Sequence, residues 1–150
     1  MIWYCDTSAL VKRYIREESS HWFRQQLSKH QLVISVLAIS ETSATLARRY
    51  RQGTISKFEL YRDRGQFNAH LRDDLYLILP ATRATVDQSA KLIYAHPLAA
   101  YDAVHLATAL DYLRTGGIAP NQFRFVTADD QLRRAAESEN LLTENPNDHQ

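Results

Sequence analysis

The sequence predicts a single α/β domain with a mostly parallel central sheet. Three observations carry that prediction. The chain has 150 residues, room for one domain that buries roughly 70% of its unfolded surface. Short apolar runs alternate with longer segments of helical period. Composition is 45% hydrophobic and 23% charged with only 4 Gly and 4 Pro, close to soluble globular averages, which excludes disordered, collagen-like and disulfide-scaffold chains.

Taken in order, the strands are expected at Ile2 to Cys5, Leu32 to Ser35, Tyr76 to Leu79 and Arg124 to Thr127, with a short last one near Leu141. The first helix begins at Thr7 or Ser8, both good caps, with Leu10, Val11, Tyr14 and Ile15 on one face. A second starts at Ser19 or Ser20 and carries Trp22, Phe23 and Leu27. Ser35 is placed to cap a third helix running to about Tyr50. After Gln52-Gly53, the run Ser56-Lys57-Phe58-Glu59 has the form of a capping box for a fourth. These two helices make a hairpin. Its second arm, to about Asp74, is long and polar with Leu60, Phe67 and Leu71 as a thin seam, so it either projects toward a partner or covers one sheet face. A fifth helix, from Thr82 or Thr85 to Ala95, is expected to turn Val86, Ala90 and Ile93 inward. The sixth, from Tyr101 to about Arg114, sets Ala103, Leu106, Ala107, Leu110 and Leu113 in a clear stripe. A last helix runs from Asp129 or Asp130 through Glu137, and residues 145–150 read as a loose tail after a domain spanning 1–144.

One cysteine, Cys5, has no partner in the chain, and the N-terminus has neither the basic flank nor the apolar stretch of a signal peptide, so a reducing cytoplasm is the expected location. No window approaches the ~18 apolar residues of a membrane span. Net charge is +1, which leaves nucleic acid to be held by local patches. Arg supplies 14 of the 18 basic residues, the side chain whose planar fork grips phosphate. Lys12, Arg13 and Arg16, then Arg48, Arg49 and Arg51, then Arg133 and Arg134 form clusters that serve as solvated helix faces or as phosphate contacts.

In a parallel sheet, ligands bind beyond the carboxyl ends of the strands. Asp6 follows the first strand directly, Asp129 comes two residues after the fourth, Glu41 lies early in the third helix and Asp102 opens the sixth. Asp6 and Asp129 also suit the N-cap role, and Asp130 competes with Asp129. Glu41 has no capping position and shares a face with Leu37 and Ala44. Asp102 shares one with Leu106, Ala109 and Leu113. Two carboxylates 5 Å apart repel by roughly 3 kcal/mol at an effective dielectric of about 20, so acids gathered in one place call for a cation. No Arg or Lys adjoins them in sequence. An all-oxygen donor set suits Mg²⁺ or Mn²⁺, and the six histidines have no i, i+4 pair for zinc. His105 reads as a hydrogen-bonded core residue. Glycine phosphate loops and nucleophile elbows are absent, which leaves metal-assisted hydrolysis.

Asp6-Thr7-Ser8-Ala9-Leu10-Val11, Glu41, Tyr101-Asp102-Ala103-Val104-His105-Leu106-Ala107 and Thr127-Ala128-Asp129 resemble the four acidic motifs of PIN-domain ribonucleases, and length and layout are similar to VapC toxins of type II toxin–antitoxin modules. The resemblance covers almost the whole chain. It implies a three-layer α/β/α PIN-like fold with a helical hairpin, and a Mg²⁺-dependent endoribonuclease that inhibits translation. It further implies a homodimer and a small antitoxin that blocks the acidic pocket. It carries Asp6, Glu41, Asp102 and Asp129 over as catalytic and metal-site residues, with Ser8, Thr127 and Asp130 around them. Arg13, Arg16, Arg48, Arg49, Arg133 and Arg134 are the candidates for steering RNA phosphates, with a structured RNA such as tRNA as the expected substrate. Two other readings stay open: a silent binding module that uses the pocket to hold a partner's Arg, and a DNA-directed nuclease with the same metal chemistry.

Overall fold

The computed structural model describes residues 1–149. Its five strands are β1 (Ile2–Cys5), β2 (Gln31–Ser35), β3 (Leu77–Leu79), β4 (Phe123–Val126) and β5 (Thr143–Glu144). They form one sheet in the order β3-β2-β1-β4-β5 with every pairing parallel. The chain enters at the central strand, builds to one edge, then returns to fill the other side. Strand order therefore reverses between β1 and β4, and the crevice beyond a parallel sheet opens at such a reversal.

Strand side chains alternate between two cores. Trp3, Cys5, Leu32, Ile34 and Val126 face one side, where they meet Leu10, Tyr14, Phe23, Leu27 and Phe67. Tyr4, Val33, Phe123 and Phe125 face the other, where they meet Leu92, Leu106, Leu132 and Ala136. The helices divide accordingly: α1 (Thr7–Leu10), α2 (Ser20–Leu27) and α4 (Lys57–Arg72) lie over the first face, and α5 (Arg83–Ala95), α6 (Ala100–Thr115) and α7 (Asp130–Ser138) over the second. Burying both faces is what a parallel sheet requires, and the three-layer α/β/α architecture follows.

The hairpin pairs α3 (Leu37–Arg51) with α4 through a turn in which Gly53 takes a left-handed conformation, φ 71°. The capping box at its second arm is formed: Glu59 N–H donates to Ser56 Oγ at 3.1 Å and Ser56 N–H to Glu59 Oε2 at 2.7 Å. The arm covers the sheet through Phe67 and Leu71, while Phe58 and Tyr61 near its start stay exposed.

α2 begins at Ser20, one of the two starts expected. Three expectations are corrected. Asp6, not Thr7 or Ser8, caps α1, and its carboxylate accepts from Ala9 N–H at 3.0 Å. On α5 the buried residues are Thr85, Ser89 and Leu92, whereas Val86 and Ile93 are exposed along with Tyr94. The helix is turned by one residue because α6 offers small Ala103 and Ala107. Thr85 and Ser89 satisfy their hydroxyls on carbonyls of their own chain, Thr82 at 2.8 Å and Val86 at 2.7 Å, so short polar side chains fit a close helix contact. Residues 145–149 are packed, not loose. Pro146 is buried, His149 stacks on Trp22 at 3.7 Å between ring centroids, and its Nε2 lies 2.7 Å from Glu144. A polar composition signalled solvent, but an aromatic stack and an Asn145 cap hold the segment down.

Candidate active site

A cleft of about 580 Å³ opens at the carboxyl ends of β1 and β4. Asp6, Glu41, Asp102 and Asp129 all line it. Each reaches it by a local device. Asp6 and Asp129 end adjacent parallel strands and cap the helices that follow; Asp129 accepts from the N–H groups of Gln131 at 2.7 Å and Leu132 at 3.0 Å. Glu41 lies one turn into α3, whose start is held by Leu37 N–H donating to Ser35 Oγ at 3.2 Å. Asp102 stands in the first turn of α6.

Asp6 is 4% exposed. Burial pushes its carboxyl above the usual range, offset in part by His105, the Ala9 amide and the Ser8 hydroxyl. Ser8 Oγ donates to Asp6 at 2.8 Å, accepts from Ala128 N–H at 2.8 Å and touches Thr127 Oγ1 at 3.2 Å. Thr127 Oγ1 in turn accepts from Asp129 N–H at 3.1 Å. These two hydroxyls lace the end of β1 to the end of β4. Glu41 is held differently. Burial alone would raise it, but His105 Nε2 at 2.7 Å and the Thr7 hydroxyl outweigh that and keep it below its ordinary value. Asp102 is pushed up to about 6, by burial first, then by the charges of Asp129 and Asp6, with Glu41 adding and His105 opposing.

The cleft is also lined by cations from two of the basic clusters noted in the sequence, Lys12, Arg48 and Arg49. Lys12 is 3% exposed, donates from Nζ to Glu18 O at 2.8 Å and lies 3.7 Å from Glu17, which also takes Arg49. Two of these cations are thus engaged by Glu17, and beyond the effect of burial the charges of Asp129, Asp6 and Glu41 still raise Asp102. Among the described residues no three acidic, His or Cys side chains stand close enough to make a ready coordination shell. The donor chemistry nonetheless fits a hard divalent cation: carboxylates alone, partly open, in mutual repulsion.

Of the remaining candidates, Asp130 turns away, 2.9 Å from Arg133 and 3.3 Å from Asn145 Nδ2. Only Arg48 and Arg49 among the six candidate arginines line the cleft. Arg133 is tied to Asp130 and to Asp148 at 3.2 Å, Arg134 borders a depression with His96 and Pro97, and Arg13 and Arg16 line a separate pocket. Sequence reasoning missed Thr7, while its reading of His105 as a hydrogen-bonded core residue holds: His105 is 1% exposed and bridges Glu41 to the Tyr4 hydroxyl, 3.2 Å from Nδ1. The available signal was its place three residues after Asp102 on one helix face.

The PIN domain profile matches residues 3–138. The chain belongs to the PIN domain family. PIN domains are nucleases as a class, and they work with divalent metal. No curated protein sequence matches. Solved structures of the same fold include FitAcB from Neisseria gonorrhoeae, 16% identical with a TM-score of 0.62 over 97% of this chain and 98% of that one. VapBC2 from Rickettsia felis, bound to a DNA fragment from its promoter, is 14% identical with a TM-score of 0.63 over the same shares, 97% and 98%. A toxin–antitoxin complex from Klebsiella pneumoniae is 17% identical with a TM-score of 0.58 over 86% of this PIN chain and 87% of that one. Among the described residues, no helix is long and apolar enough to cross a membrane.

Proposed function

We propose that this PIN domain is a Mg²⁺-dependent endoribonuclease and the toxin of a type II toxin–antitoxin module. The observation that carries the reading is the meeting of four acids from four elements in one cleft at the strand-order reversal of a PIN sheet, with Asp102 pushed up to about 6 by burial first and then by the charges of Asp129 and Asp6. Asp6, Glu41, Asp102 and Asp129 would hold Mg²⁺, or Mn²⁺ in its place, which supplies an activated water and charge stabilisation on the phosphoryl oxygens. The chain's own contribution is orientation and charge. Ser8 and Thr127 fix Asp6 and Asp129 relative to each other, while His105 and Thr7 keep Glu41 ionised and aimed. Asp102, whose carboxyl is raised by burial and by the neighbouring acids, is the group whose ionisation a bound dication would favour most. Arg48 and Arg49 at the rim favour an anionic substrate, and tRNA is the substrate proposed.

Protein neighbours support the toxin reading, since one solved structure of this fold is a toxin–antitoxin complex. The exposed Val86, Ile93 and Tyr94 of α5 support a homodimer that covers them. In the test, purified protein cuts RNA in Mg²⁺ and not in EDTA, and Asp6→Asn abolishes cutting with unchanged circular dichroism. An equally active Asp6→Asn overturns the reading. One observation favours a rival: Glu41 turns toward His105, which also suits a silent pocket that holds a partner's Arg. Calorimetric titration of Mg²⁺ separates the two, because only the nuclease binds the ion through its acids.

A further inference from the structure

A second polar cavity, of about 320 Å³, lies on the other side of residues 11–17 from the cleft. Arg13, Arg16, Arg24 and Arg62 line it with Tyr14, Gln66 and a single acid, Asp63. That acid is 2% exposed and already taken by its neighbour, Arg62 Nε donating to Oδ1 at 2.8 Å. Four guanidiniums therefore share one pocket with one spent carboxylate.

Three of the four are held in place. Arg13 donates to the Tyr76 hydroxyl at 3.1 Å and lies over its ring, 5.5 Å from the centroid. Tyr76 bonds the Tyr14 hydroxyl, which is 2.9 Å from His70 Nδ1, so a buried network stands behind Arg13. Arg24 Nε donates to Arg13 O at 2.9 Å. Arg62 is fixed by Asp63. Arg16 is exposed and makes no protein hydrogen bond among the described residues. Clustered like charges that are pre-oriented and leave donors free match an anion with several oxygens.

The wall between the two cavities is shared: Val11, Lys12 and Glu17 line the acidic cleft, and Arg13, Tyr14 and Arg16 line this pocket. The pocket has no apolar floor. Interfaces with proteins deplete charge at their cores, whereas nucleic-acid interfaces are polar and strongly basic. Tyr14 is buried, so no aromatic face is offered to a base. We propose that the pocket grips a backbone phosphodiester of a nucleic-acid strand whose reacting bond lies in the acidic cleft, an anchor outside the cleft that carries no sequence preference. The proposal rests on the nuclease reading above.

The test measures binding of a labelled single-stranded RNA to the full chain by fluorescence anisotropy in EDTA, where no metal-dependent cutting occurs. Arg16→Glu is expected to weaken binding roughly tenfold, and Arg16→Gln to lower the slope of log K against log salt by about 1. Arg83→Glu, on the other sheet face, moves binding less than about twofold by the same charge argument. DNA of the same length binds within a few fold, because phosphates lack sugar identity. Unchanged RNA binding by Arg16→Glu overturns the proposal even if the protein cuts RNA in Mg²⁺. Failure to cut, with Arg16-dependent binding intact, sinks the nuclease reading and keeps the phosphate pocket. A polyglutamate peptide that binds as tightly as RNA and depends equally on Arg16 overturns it in favour of an acidic protein segment, and so does failure of DNA to bind.

Discussion

The β1–α1 joint and the β4–α7 joint are built alike and finished differently. Each ends a parallel strand beside the strand-order reversal, and each uses an aspartate to cap the next helix. Asp6 is then sealed beneath Ser8 and behind His105, at 4% exposure, whereas Asp129 stays half-buried beside the open cleft. At Asp129 the cap engages Oδ1 alone and leaves Oδ2 outside it, whereas at Asp6 the Ala9 amide takes Oδ1 and Ser8 Oγ reaches both oxygens. The closed joint spends its carboxylate on structure, and the open one keeps an oxygen outside the cap.

The strongest way to break this comparison is to cut the lacing between the joints. Ser8→Ala removes the hydroxyl that bonds Asp6 and accepts from Ala128. It should lower RNA cleavage about 10–100-fold, the size seen for partners that orient ligands, and cost about 1–2 kcal/mol in urea unfolding. Wild-type cleavage by Ser8→Ala would mean that the joints need no tie. At the open joint, Asp129→Ala loses the cap and should destabilise by about 1 kcal/mol, while Asp129→Asn keeps capping within a few tenths; only the cleavage assay should treat both alike, as losses.

Asp102 sharpens the contrast through pH. Its folded carboxyl sits at about 6, above the ordinary aspartate value of 3.8, so between those values the native state binds the extra proton and stability falls as pH rises. Asp102→Asn should therefore gain on wild type by on the order of 1 kcal/mol at pH 8, after discounting for partial exposure, and lose that advantage below pH ~4. Added Mg²⁺ should raise the wild-type melting temperature more than that of Asp102→Asn. The smallest effect is expected at Asp130, which bonds Arg133 and Asn145 and not the cleft. Asp130→Asn should leave cleavage within about twofold, as surface substitutions do.

The elements were largely legible. Short apolar runs and stripes with period 3.6 located, among the described residues, all five strands to within two or three residues and all seven helices, because burial imposes those patterns directly. The convergence of the four acids on one cleft was legible too, in that acids at strand ends stand out in a parallel sheet. The turn of α5 was not. Apolar Val86 and Ile93 lost the inward face to Thr85 and Ser89 because close packing on alanines rewards small side chains, and periodicity measures polarity without measuring size. The packed residues 145–149 escaped notice for a similar reason, since a stacked His149 looks polar in any composition window.

What the sequence by itself determined is the strand and helix inventory, the parallel sheet, and a short set of acids at strand ends, all consequences of local pattern and capping. What only the tertiary structure decided is which charges meet. Lys12 and Arg49 joined the acidic cleft through Glu17, Asp130 turned toward Arg133, and Arg13 and Arg16 moved into a pocket with Arg24 and Arg62. Electrostatic partners are chosen by distance in space, and a chain order that places Arg16 and Arg62 far apart holds no record of it.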